Sequence, residues 1–150
     1  MTIAQTATTS FKVELAQGVH NFGPTSPDTY KIALYTAAAS LDATTTVYNP
    51  ATAGQVVGAG YTAGGNTLVI SVTPVAANNV AGTPTSFWSF ANTTWSGATF
   101  TARGALIYNV TKGNKSVAVL DFGSDKTVSN TTFQIVFPTP DANSAIVRIS

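Results

Sequence analysis

Phe87-Trp88-Ser89-Phe90, Thr94-Trp95-Ser96-Gly97-Ala98-Thr99-Phe100-Thr101-Ala102-Arg103-Gly104-Ala105-Leu106-Ile107-Tyr108-Asn109 and Val117-Ala118-Val119-Leu120-Asp121-Phe122-Gly123 decide the fold of this 150-residue chain. Both tryptophans and four of the eight phenylalanines lie in this stretch. Residues 104–108 and 117–122 are short apolar runs bounded by turn residues, which reads as buried strands rather than helices. Between them, Val110-Thr111-Lys112-Gly113-Asn114-Lys115-Ser116 carries the Gly and Asn of a hairpin connection. Large aromatics bury the most apolar area per residue, so the core should condense around this hairpin.

The rest of the chain agrees with a β-rich domain. Only 9% of residues are charged, against about 25% in an average protein. Thr and β-branched residues are abundant, as pleated sheets favour. Seven to nine short strands, roughly, with one N-terminal helix describe an all-β domain, a β-sandwich or barrel-like fold. Residues 1–9 read as a flexible arm, and residues 10–150 as a single β-rich structural domain.

Ser10 is a candidate helix N-cap. Phe11, Leu15, Val19 and Phe22 follow at helical spacing and end at Gly23-Pro24, which predicts about three turns. That stripe must lie on the chain's own sheet or on a neighbouring subunit. Tyr30 to Tyr35 alternates as a half-buried strand, and residues 37–55 read as a long surface excursion. Thr67 to Thr73 reads as a strand, 74–85 as a polar loop, and Phe133–Phe137 and Ala145–Ile149 as the last strands.

Several function classes lose support at this level. The net charge is +1 with no basic cluster, so nucleic acid has no electrostatic footprint to meet. There is no cysteine, hence no thiolate nucleophile and no soft metal ligand. No apolar run approaches the roughly 20 residues of a membrane span. Met1 to Ser10 has neither the basic nor the apolar region of a signal peptide. The glycines at 58, 60, 64 and 65 lack the Lys-Ser/Thr and helix that a phosphate loop needs.

Candidate chemistry is sparse. His20 is the sole histidine, with no metal-ligand partner nearby in sequence, and reads as a structural or interface histidine. Asp121-Phe122-Gly123 matches a kinase tripeptide, but no other kinase element is present. Asp121 and Asp125 form a candidate acid/base or calcium pair without the alternating ligands of a calcium loop. Trp88 and Trp95 would stack on sugars if exposed. Arg103, a rare charge ahead of an apolar run, should pair with Asp121 or a backbone carbonyl, or sit at a subunit contact. No catalytic, cofactor or metal residue is assigned; Phe11, Leu15, Val19, Phe22 and Arg103 are the candidate interface residues.

Phe11-Lys12-Val13-Glu14-Leu15, Gly18-Val19-His20, Tyr30-Lys31-Ile32-Ala33-Leu34-Tyr35-Thr36, Gly60-Tyr61-Thr62-Ala63-Gly64-Gly65, Thr101 to Asn109 and Val119-Leu120-Asp121-Phe122-Gly123 together resemble a family of small virion structural proteins of tailed bacteriophages. The resemblance runs from about Phe11 to Ile149. It implies a place in the virion after assembly in the host cytoplasm, with no enzymatic activity or cofactor. A capsid cement or decoration protein is the leading expectation, with a tail or neck component beside it. The expected partners are the major capsid protein or other virion proteins and further copies of itself, rather than nucleic acid or membrane. A carbohydrate-binding adhesin using Trp88 or Trp95 is the alternative from another class.

Overall fold

Two antiparallel sheets face each other across an aromatic core in the computed structural model, which describes every residue from Met1 to Ser150. Eight strands and one helix follow in the order β1 (Thr6–Ala7), α1 (Thr9–Ala16), β2 (Tyr30–Tyr35), β3 (Asn66–Leu68), β4 (Ile70–Asn78), β5 (Pro84–Phe90), β6 (Thr93–Asn109), β7 (Lys115–Ile135) and β8 (Val147–Ile149). The first sheet runs β1-β7-β6-β2-β3 and the second β4-β5-β8. The all-β sandwich with one N-terminal helix is thus the architecture. The helix is too short, and not apolar enough, to cross a membrane.

The β6–β7 hairpin dominates the first sheet. Gly104 to Asn109 pairs with Lys115 to Asp121, and Thr93 to Ala102 pairs with Lys126 to Ile135. Between these blocks Arg103 alone faces the four residues Phe122–Asp125, a wide bulge on β7. The runs Ile32–Tyr35, Ala105–Tyr108 and Val117–Leu120 are buried on both faces, which explains their continuous apolar character. One face meets the second sheet in a cluster of 22 buried residues, with Phe22 stacked on Tyr30 at 4.4 Å and T-shaped to Phe11. The other face carries Ala33, Tyr35, Leu106, Tyr108 and Val119 under Ile3 and the long β2–β3 connection, which includes the 37–55 excursion.

That connection is tied down rather than draped. Tyr48 stacks on Tyr108 at 4.3 Å, and Tyr108 Oη donates to the Gly64 carbonyl at 2.8 Å. Gly65 sits at φ +70°, and a Cβ there would run into the Ile32 carbonyl. Only glycine accepts that conformation and that closeness together.

Four sequence expectations need correction. The helix is capped by Thr8, whose Oγ1 accepts the Phe11 N–H, and it stops at Ala16. Gly18 at φ +70° closes it, with Gly18 N–H bonded to Leu15 O and Val19 N–H to Glu14 O. This is a Schellman stop, so Val19 and Phe22 lie beyond the helix. Residues 1–9 are no flexible arm: Ile3 is buried and bridges to Leu41, and Thr6–Ala7 pairs with Val119 and Ala118. The expected strand 67–73 divides at Val69, because β3 joins the first sheet while β4 joins the second. The expected loop 74–85 is largely the β4–β5 hairpin; β4 is an edge strand, where Pro74 is tolerated.

Candidate interaction surface

Of the residues proposed for contact, two belong to the interior. Phe11 is 2% exposed and Phe22 3%, both inside the main core. Leu15 is half-buried and packs on that same core, so the helix docks on its own sheet rather than on a neighbour. Val19 is half-buried and outside that core. Phe11 and Phe22 therefore cannot serve as an open contact surface.

Arg103 pairs with Asp121, as its sequence context suggests. Its Nε lies 3.3 Å from Asp121 Oδ1 and its Nη1 3.9 Å from Asp125 Oδ1, at a partly exposed position. The Gly123 N–H donates to Asp121 Oδ1 at 2.9 Å; with Arg103 behind it, this holds the Asp121 carboxyl below its ordinary value. Asp121 and Asp125 thus share a guanidinium. No group of three or more His, Asp or Glu is placed to hold a metal ion. The kinase-like tripeptide is the start of the bulge.

His20 is enclosed. Its side chain is 0% exposed, T-shaped to Phe11 at 5.0 Å, with Nε2 2.9 Å from Glu14 Oε2. Glu14 Oε1 accepts from Lys115 Nζ at 2.6 Å. Burial works to raise the Glu14 carboxyl, but the Lys115 and His20 hydrogen bonds outweigh it and hold it low. Both ring nitrogens of His20 are engaged, Nε2 by Glu14 and Nδ1 by Asn109 Nδ2 at 3.0 Å. Trp88 and Trp95 are each 3% exposed, so neither indole is open to a sugar ring.

What lies open is the outer side of β7. β1 covers it only at Ala118 and Val119, and no strand pairs with it beyond. Along this edge from Lys126 to Ile135 the only charge is Lys126. A groove of about 530 Å³ runs beside it, lined by Leu120, Phe122, Val128, Phe133, Ile135 and Phe137 among others. Val136 stands 65% exposed at its rim. The edge is also blunted: the register slips near Asn130, which takes φ +50°, and the 122–125 bulge breaks its line. Bulges and a lysine are how sheet edges resist indiscriminate pairing. The sequence does not show this surface because residues 123–132, apart from Val128, are Gly or polar and carry no period-2 signal.

No protein-family model, curated protein or solved structure matches this chain.

Proposed function

We propose that this chain is a structural protein of a tailed-phage virion, acting as a cement or decoration protein on the head. The observation that carries the reading is the charge-poor outer edge of β7 beside an apolar groove. A soluble monomer gains nothing from such a surface, whereas a fixed neighbour in an assembly covers it. The bulges that blunt the edge keep copies apart until that neighbour is met. The strings that resemble phage virion proteins point to the same role; several of them lie in the central strands Tyr30–Tyr35, Thr93–Asn109 and Lys115–Ile135. The expected partners are the major capsid protein and further copies of this chain. A tail or neck position would use the same surface.

The test is binding of purified chain to capsids that lack it. Gln134→Lys with Val136→Lys changes two exposed side chains at the groove and should leave the melting temperature unchanged. Binding should fall at least about tenfold, or about 1.4 kcal/mol. Wild-type binding to capsids that this double variant retains in full would refute the surface; no binding by either would refute the role on the head.

A further inference from the structure

Asn109, the last residue of β6, is fully buried, and its amide orientation is set by its neighbours. Nδ2 donates to Asp28 Oδ2 at 2.8 Å, and Oδ1 accepts the Lys112 backbone N–H at 3.2 Å. Turned over, the amide would set oxygen against a carboxylate and N–H against N–H. The second Nδ2 hydrogen therefore points at His20 Nδ1, 3.0 Å away, which must be a bare acceptor. His20 then carries its hydrogen on Nε2 and donates it to Glu14.

We propose that His20 is an acid-sensitive latch joining the loop Asn21–Thr29 to the β6–β7 turn. A proton added at Nδ1 sets two N–H donors face to face at the 3.0 Å now spanned by one hydrogen bond. Asn109 must rotate away, which gives up its bonds to Asp28 and to the Lys112 N–H. Asp28 Oδ2 also accepts the Asn21 N–H at 2.9 Å, so the loop that Asp28 closes loosens with it. The charged groups facing this centre are Glu14 from α1, Lys115 from β7, Asp28 from the loop and Lys112 from the turn. Glu14 already holds Lys115 at 2.6 Å, and Lys112 Nζ lies 3.7 Å from Asp28 Oδ1. Glu14 Oε2 accepts from Nε2 whichever charge the ring carries, so the added proton disturbs the Asn109 side alone.

The test uses the intact chain in NMR between about pH 8 and about pH 5, where imidazoles change charge. Ring nitrogen shifts report the His20 tautomer, and the amide hydrogens of Asn21 and Lys112 report the latch. At the upper pH the Nε2–H tautomer is expected. At the lower pH those two amides should exchange at least about tenfold faster, corrected for intrinsic rates, with Ile107 unchanged. His20→Gln should remove this pH dependence; if it fails to fold, the wild-type titration decides alone. An Nδ1–H tautomer, a ring that stays neutral at the lower pH, or a ring that titrates without loosening both amides would each overturn the latch.

Discussion

Arg103 and Asp121 meet where the long hairpin changes register, Nε to Oδ1 at 3.3 Å. Gly104 next to it lets the chain pack closely, since a Cβ there would strike the Leu120 carbonyl and the Ile3 side chain. The pair marks the join between the buried half of the hairpin and its open half.

Arg103→Ala tests what the pair contributes. The Arg103 side chain is 36% exposed and that of Asp121 28%, and exposed ion pairs are worth about 0.2–1 kcal/mol. A chemical denaturation curve should show a loss within that range. A loss above about 2 kcal/mol would mean that the guanidinium holds the bulge together.

The helix offers a sharper contrast. Phe11 is buried against His20, Phe22 and the sheet of its own chain. Phe11→Ala should cost about 3–5 kcal/mol of monomer stability. A variant that unfolds at the wild-type denaturant midpoint but fails to assemble would instead place this face on a neighbour.

The N-terminal segment should matter for folding as well. Ile3 fits over Gly104 and reaches Leu41, and Thr6–Ala7 caps part of the β7 edge. Ile3→Ala is expected to lower stability by about 2–5 kcal/mol. An unchanged melting temperature on deleting residues 1–7 would show that the segment is not docked in solution.

Alkali probes the tyrosines. Burial pushes the phenols of Tyr30, Tyr35 and Tyr108 well above the ordinary value. Unfolded tyrosines ionise near about pH 10. Their contribution to stability is therefore intact below that pH and is lost as pH rises through the folded values. Phenolate absorbance and circular dichroism, followed together, should show these tyrosines ionising as the chain unfolds. Ionisation of all five tyrosines near about pH 10 with native dichroism would contradict their burial.

How much of this the sequence reveals follows from burial. Ala105–Tyr108 and Val117–Leu120 are covered on both faces, so they read as unbroken apolar runs and the hairpin is visible at once. The Arg103–Asp121 pair is visible because charges are scarce. The open half of β7 is hidden, since Ser124 to Thr132 is polar but for Val128 and its strand character comes from pairing with β6. Gly18 misleads because the apolar spacing of Val19 and Phe22 continues past the backbone stop. Phe11 and Phe22, chosen for an interface by helical spacing, fall inside because an amphipathic stripe specifies burial and says nothing of whose surface buries it.

Quantitative mass spectrometry of purified virions tests the central claim most directly. A cement or decoration protein should be present in many copies per particle, in a simple ratio to the major capsid protein, and in empty heads as well as in complete virions. Particles that carry none of it, made in cells where the chain is expressed, would contradict a structural role in the virion.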